Sequence, residues 1–339
     1  MALNVAILGA SGFVGGELLR LCASHAMLRP IFLGGDSHAG SRVRDVHPHL
    51  AIAYPDQIIE RFDPETLTGV DLIFSALPHG HSQSLAPAII DRGIALVDLG
   101  ADFRLRDAET YEQWYGEAHQ APELLDRFVY GIPEINRAAI RGATCVAAAG
   151  CYPTAAILAL KPLIDAGLIE TRGIVVDAAS GVTGAGRVPK ESTAFATVSE
   201  SFTAYGLLSH RHTAEMEAST GAQILFTPHL APMNRGILAT CYATATGPMD
   251  VDAPHKALRK AYASEPFIHV SDAPPATKWT LGSNAVHITA RFDERTGRVL
   301  AIAALDNLVK GAAGQMIQCA NLMLGMHETE GLSACGVYP

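Results

Sequence analysis

The sequence predicts an α/β fold in two parts: an N-terminal doubly wound parallel sheet, then an α+β domain on a mixed or antiparallel sheet. Three observations carry this. Apolar runs of strand length alternate with helical spacings over residues 1–150, the pattern of βαβ units. Beyond residue 150 the strand signals lengthen and come in pairs joined by turn sequences. The 339 residues also exceed what one hydrophobic core serves, about 250–300.

Leu3–Leu8 is an apolar run ending in a glycine-rich turn, and Glu17–Leu21 already has helical spacing. Further short runs at Pro30–Leu33, Asp71–Ala76, Ile94–Leu99 and Thr144–Ala148 read as strands, with helical stretches between several of them, notably Ser82–Arg92. From Cys151 a helix is expected to about Ala166, then a strand over Gly173–Ala179 and a glycine-rich loop, SGVTGAGR. Gly221–Leu230 and Gly236–Thr246 are strand signals joined by APMNR. Ala285–Phe292 and Arg298–Leu305 flank Asp-Glu-Arg-Thr-Gly, a hairpin pattern. Asn307–Gly325 reads as a closing helix with Asn307 as its N-cap.

Composition narrows the function. With 49% hydrophobic and 17% charged residues the chain reads as a soluble globular protein, and a net charge of −9 argues against a nucleic-acid groove or an anionic membrane surface as partner. Six scattered cysteines without a CxxC pair imply reduced thiols and a cytoplasmic setting. Residues 142–160 are uncharged, but they are rich in Ala and hold Gly150, Pro153 and Thr154 centrally, so they suit a membrane span poorly.

The first strand runs into Gly9, Gly12 and Gly15, with Ser11, Phe13 and Val14 between them, and then into a helix. Strand, Gly-x-x-Gly-x-x-Gly, helix is a Rossmann-type dinucleotide context: glycines permit the tight turn, and the helix N-terminus offers N–H groups to a pyrophosphate. The spacing varies from the commoner G-x-G-x-x-G, so a plain βα turn is the competing reading. At the end of the second strand, LGGDSHAGSR offers Asp36 to a ribose 2′-hydroxyl, as in NAD. Ser37, His38, Ser41 and Arg42 could instead surround a 2′-phosphate. Hydroxyls plus a guanidinium suit the dianion better, so NADP(H) is the expected cofactor.

Cys151 stands before Tyr152-Pro153-Thr154, and Pro favours a first helical turn. A free thiol of pKa about 8.5 is roughly 3% ionised at pH 7. Half-ionisation requires about 2 kcal/mol, whereas a helix N-terminus supplies typically 0.3–1. A second group such as an imidazolium has to help if Cys151 is a nucleophile; otherwise it is an inert buried thiol, as the other five cysteines are expected to be. Three His-x-His pairs occur, at 47/49, 79/81 and 210/212, without the Cys or carboxylate spacing of a metal site. In LSHRHTAEMEA, His212 and Glu215 are spaced i, i+3, so a carboxylate could orient the imidazole; a surface ion pair is the alternative. On a helix that included both, His210 and His212 would point about 200° apart.

Together GASGFVGGELLRL, ALPHG, LGADFRL, YGIPEINR, GCYPTAAILALKP, SGVTGAGR, HRHTAEME, PHLAPMNRGILAT and DNLVKGAAGQ resemble the N-acetyl-γ-glutamyl-phosphate reductases, relatives of aspartate-semialdehyde dehydrogenase. They cover residues 8 to about 325 in the family's order. The resemblance implies NADPH-dependent reduction of an acyl phosphate to an aldehyde in arginine biosynthesis. Cys151 would be the nucleophile and His212, supported by Glu215, the acid/base residue. Pro78, Gly181 and Asn307 join the glycine-loop residues as implied cofactor contacts, and Arg104, Arg187 and His210 are the implied substrate contacts. It also implies a homo-oligomer and a division into residues 1–150 with 307–339 (nucleotide binding) and 151–306 (catalysis and oligomerisation). The family commonly has Asn-Pro before the Gly-Cys, where this chain has Ala148-Ala149, so the resemblance does not say what holds that turn. Other acyl phosphates, aspartyl or carrier-bound aminoadipyl, and a non-catalytic NADP-binding redox sensor stay open as alternatives.

Overall fold

The computed structural model describes residues 2–64 and 67–339. The chain divides into two compact units: residues 1–149 with 312–332, and residues 150–311 with 333–339.

In the first unit β1 (Leu3–Leu8) leads through the glycine turn to α1 (Phe13–Ala23), followed by β2 (Leu28–Gly34) and a short α2 (Val43–Val46). Then come β3 (Leu72–Ser75), α3 (Ser82–Asp91), β4 (Ala95–Asp98), α4 (Ala108–Tyr115), β5 (Phe128–Gly131), α5 (Pro133–Ile140) and β6 (Cys145–Ala148). All six strands are parallel, in the order β2-β1-β3-β4-β6-β5. Strand order reverses between β1 and β3, the place where open α/β sheets bind ligands beyond their carboxyl ends. β5 was not visible in the sequence, because Phe-Val-Tyr-Gly is too short a run between turns to carry a period. Ala6, Leu8, Ile73, Leu96, Phe103, Phe128 and Ala147 are among the residues that fill the core.

The second unit opens with α6 (Cys151–Asp165), almost every residue of which is buried between Tyr152 and Leu160. Next come β7 (Ile174–Gly181), α7 (Phe195–Val198), a two-residue β8 (Thr203–Ala204), α8 (His212–Thr220), β9 (Ile224–Ala231), β10 (Ile237–Thr244) and α9 (Ala253–Ala261). β11 (Ile268–Val270), β12 (Val286–Asp293) and β13 (Arg298–Leu305) complete a mixed sheet in the order β11-β12-β13-β10-β7-β9-β8. The β12–β13 hairpin has the expected turn, where Asp293 accepts from the Arg295 N–H and the Thr296 hydroxyl. β9 and β10 flank β7, parallel and antiparallel to it, so APMNR bridges over the end of β7. Along β10, Ile237, Ala239, Cys241 and Ala243 are buried while Tyr242 is 41% exposed. α6, α8 and α9 pack on the sheet.

The closing helix differs from its expectation. Val309–Ala313 is a π-helical turn, and only then does α10 (Gly314–Met323) begin. Asp306, not Asn307, is the cap: its Oδ1 accepts from the N–H groups of Leu308 and Val309. The Asn307 amide instead holds two other segments, accepting from Gly236 N–H and donating to Thr183 Oγ1. The domain boundaries also differ. Residues 307–311 and 333–339 belong to the second unit, the latter because Ser333 O accepts from Asn284 N–H and Val337 N–H donates to Leu281 O. α10 returns to the first unit, where its Gln318 donates to Glu134 and Glu328 and its Asn321 pairs with His25.

Candidate active site

The glycine turn of the first unit is built from backbone. Gly9 has φ +79°, and a Cβ there would stand 2.4 Å from Ala76 O, so the turns after β1 and β3 touch. A Cβ at Gly15 would lie 2.3 Å from Gly9 O. Gly12 caps α1 without a side-chain hydrogen bond, so backbone N–H groups lead this helix, with Ser11 before them and Phe13 and Val14 in its first turn. A bidentate anion such as a pyrophosphate fits that donor set. His47 is accounted for here: it packs on Gly16, with its Nε2 2.8 Å from Ala10 O.

Gly34 O accepts from both Gly9 and Ala10 N–H, which seats the end of β2 beside the turn. Beyond it Asp36, Ser37 and Arg42 are all exposed. Ser37 Oγ is 2.9 Å from His38 Nδ1. Sequence reading missed Arg61, whose Nε is 4.0 Å from Asp36 Oδ1. It brings a second guanidinium to this loop from a segment without periodicity.

Pro78 lies in the turn after β3. That turn is held by Asp102, a fully buried carboxylate that accepts from Gly80, Ser82 and Gln83 N–H and sits 2.9 Å from His79 Nδ1. Beside it Asp98 accepts from Ser82 Oγ and Gly100 N–H. Burial, and the neighbouring Asp102, push the Asp98 carboxyl up to about 6. Arg104 is 9% exposed, and its Nη2 donates to Leu99 O at 2.6 Å.

In the second unit Cys151 is the first residue of α6, and Gly150 is its N-cap. Pro153 has no N–H and the Thr154 N–H goes to Gly150 O, so the N–H groups at the helix start are those of Cys151 and Tyr152. Glu215, 2% exposed, accepts the Gly150 N–H at 2.7 Å. That bond ties the turn before Cys151 to α8, a role the i, i+3 spacing did not reveal.

His210 and His212 stand together rather than opposed. α8 starts at His212, so His210 precedes the helix, and its Nδ1 accepts the His212 N–H at 3.2 Å. The two rings lie 4.7 Å apart, and both face the Tyr152 ring, at 5.8 and 6.0 Å. Burial first, and then the Arg211 charge, lower His210 to about 4, so it is neutral at pH 7. Tyr205 donates to the Tyr152 hydroxyl, which donates to His229 O; burial raises both phenols. No spacing in the sequence ties Tyr205 to Tyr152.

The other thiols divide unevenly. Burial pushes Cys22 and Cys241 up to about 12 and raises Cys145, and Cys319 is buried. Cys335, expected in a core, is exposed. Gly181 is required by packing, since a Cβ would stand 2.6 Å from Asn234 O. Arg187 is exposed on the loop beyond it, and Asn307 is buried in the second unit, holding Gly236 and Thr183.

Residues 4–143 match the semialdehyde dehydrogenase NAD binding domain and residues 151–307 the semialdehyde dehydrogenase dimerisation domain. The fold is also that of solved aspartate semialdehyde dehydrogenases. That of Vibrio cholerae matches with TM-score 0.72 at 19% identity, covering 96% of this chain and 99% of that one. The NADP-bound protein of Candida albicans matches with TM-score 0.70 at 15% identity, covering 95% and 98%. Fold and site thus define a semialdehyde-dehydrogenase-type protein. Within that class, N-acetyl-gamma-glutamyl-phosphate reductases of Symbiobacterium thermophilum and Pelotomaculum thermopropionicum are 47% and 45% identical to it, over the full length of each chain. The chain belongs to the N-acetyl-gamma-glutamyl-phosphate reductase family.

Proposed function

We propose that the protein reduces N-acetyl-L-glutamyl 5-phosphate to the 5-semialdehyde and phosphate with NADPH, through a thioester on Cys151, as a step of arginine biosynthesis. The observation that carries this reading is Cys151 at the head of a buried fifteen-residue helix, with its N-cap gripped by Glu215 and two imidazoles beside Tyr152. The Cys151 thiolate attacks the acyl carbon, the C–O bond to phosphate breaks, and a thioester remains. Gly9, Ser11, Gly12, Phe13, Val14, Gly15 and Pro78 would hold the cofactor, with Ser37 and Arg42 on its 2′-phosphate. When bound, NADPH supplies the hydride that reduces the thioester carbon.

The N–H groups leading α6 stabilise the oxyanion formed at each addition. After hydride addition His212 gives a proton to the hemithioacetal oxygen and takes it back as the C–S bond breaks, which frees the aldehyde and the thiolate. His210, neutral at pH 7, binds substrate rather than moving that proton. Arg104 and Arg187 bind the substrate's anions.

Among the described residues no helix is long and apolar enough to cross a membrane, and a cytoplasmic setting belongs to this reading. So does a homo-oligomer formed through the sheet face of the second unit that exposes Leu225 and Tyr242.

The test is the reverse reaction: NADP+ reduction by N-acetylglutamate semialdehyde with phosphate. Turnover there, and at least 10²-fold less with aspartate semialdehyde, is expected, since the acetamide contributes binding the shorter substrate lacks. Tight NADP binding without turnover on either aldehyde would leave a sensor instead.

A further inference from the structure

Gly311 lies in the π-helical turn Val309–Ala313, a rare form that marks functional sites more often than chance. Its N–H donates to Asp306 O at 2.9 Å, five residues back, and the Asp306 carboxylate pins the same turn from the other side through Leu308 and Val309 N–H. That carboxylate also accepts from Gly282 N–H and is fully buried, so the turn is not adjustable. A Cβ built on Gly311 would stand 2.8 Å from the Cβ of Cys151, 3.2 Å from Leu305 Cδ1 and 3.3 Å from Asp306 O. Real Cβ atoms do not approach one another so closely, and the Cβ of Cys151 is fixed by its own helix. The φ of Gly311 lies outside the left-handed range, so any L-residue could adopt its backbone. Glycine is required here for space and not for conformation.

We propose that Gly311 is a positioning residue for the nucleophile: the π-turn is built so that bare backbone seats against Cys151 and sets where its side chain emerges from α6. This rests on Cys151 being the nucleophile. Any side chain at 311 then moves the head of α6, together with the thiol and the two N–H groups that lead the helix. The sequence motif DNLVKG acquires a division of labour. Asp306 forms the turn, Asn307 anchors it to Gly236 and Thr183, and Gly311 is the surface that Cys151 rests on.

The experiment is a double-mutant cycle read by thermal unfolding together with kinetics. Gly311→Ala in the native chain is expected to lower Tm by roughly 3–8 °C, as overpacking by one methyl does. It should also lower kcat about 10²-fold, the loss expected of a 1 Å misplacement of a reacting group. In a Cys151→Gly chain, which lacks the opposing Cβ, the same substitution should lower Tm clearly less, because only the looser contacts with Leu305 Cδ1 and Asp306 O remain. With Cys151 in place, Gly311→Ala should change the iodoacetamide labelling rate of Cys151 relative to exposed Cys335 at least fivefold. If Gly311→Ala does not fold by itself, the double variant still does on this proposal. An equal Tm loss in both backgrounds, or a native kcat in Gly311→Ala, would overturn it. A Cys151→Ser protein that keeps turnover while the Tm cycle behaves as expected would leave the contact standing and remove the nucleophile, so the two failures are distinguishable.

Discussion

Glu215 offers the sharpest separation of two roles. Its carboxylate accepts the buried Gly150 N–H at 2.7 Å, and sequence spacing also sets it at i+3 from His212. A hydrogen bond to a charged group is worth about 1.5–3 kcal/mol, and stranding a buried N–H costs about 1–3. Glu215→Ala should therefore cost about 3 kcal/mol of stability. It should also lower kcat on the order of 10²-fold, because Gly150 is free to carry Cys151 out of place. Glu215→Gln keeps an acceptor oxygen of the same reach and loses only the charge, so it should cost about 1 kcal/mol and less than tenfold in kcat. Urea unfolding followed by fluorescence gives the first pair of numbers, and initial rates of NADPH oxidation the second. If the carboxylate acts chiefly as the anion behind His212, Gln fails as badly as Ala in kcat, and the pH profile shifts in both. Equal urea midpoints for Gln and Ala would refute the anchoring role.

Cys151→Ser should abolish turnover with the fold and NADPH binding intact. In the native protein iodoacetamide should label Cys151 first and Cys335 second, as mass spectrometry of timed digests would show; loss of activity on labelling Cys145 or Cys241 would contradict the assignment. Replacing Ser37 and Arg42 together should shrink the preference for NADPH over NADH at least tenfold by titration, and equal affinities in the native chain would return Asp36 to a ribose hydroxyl. Asp98 is raised from 3.8 to about 6, so as a folded-state carboxyl of raised pKa it favours the fold fully below pH 3.8 and loses that contribution as pH climbs through 6. At about 1.36 kcal/mol per tenfold change in protonation the loss is about 3 kcal/mol. Asp98→Asn should be the more stable protein at pH 7.5 and keep little of that advantage at pH 4; an advantage that grew on acidification would refute the sign.

The elements legible in the sequence were those whose pattern was local. β1 and its glycine turn, α6 behind Gly-Cys-Tyr-Pro, and the β12–β13 hairpin all carry their signals within a few residues. What could not be read depends on partners distant in the chain. Glu215 reaches Gly150 across 65 residues, and Tyr205 reaches Tyr152 across 53. The capping of the last turn by Asp306 rather than Asn307 was decided by Gly236 and Thr183, which claim the asparagine amide. The relation of the two imidazoles turned on one residue of helix boundary, the least predictable quantity in any such reading. Because α8 starts at His212, a helical wheel had no bearing on His210.

The first unit is sewn from two pieces of chain about 160 residues apart, 1–149 and 312–332, and this governs its birth on the ribosome. Gln318 and Asn321, both fully buried, find partners in Glu134 and His25, so those partners wait for residues not yet made. At about 5–20 residues per second the interval is roughly 8–30 s, during which the six-stranded sheet has emerged without the helix that covers α1 and α5. The nascent chain should be a client for holding chaperones throughout that window. A message truncated anywhere before codon 312 would release an N-terminal half that cannot close.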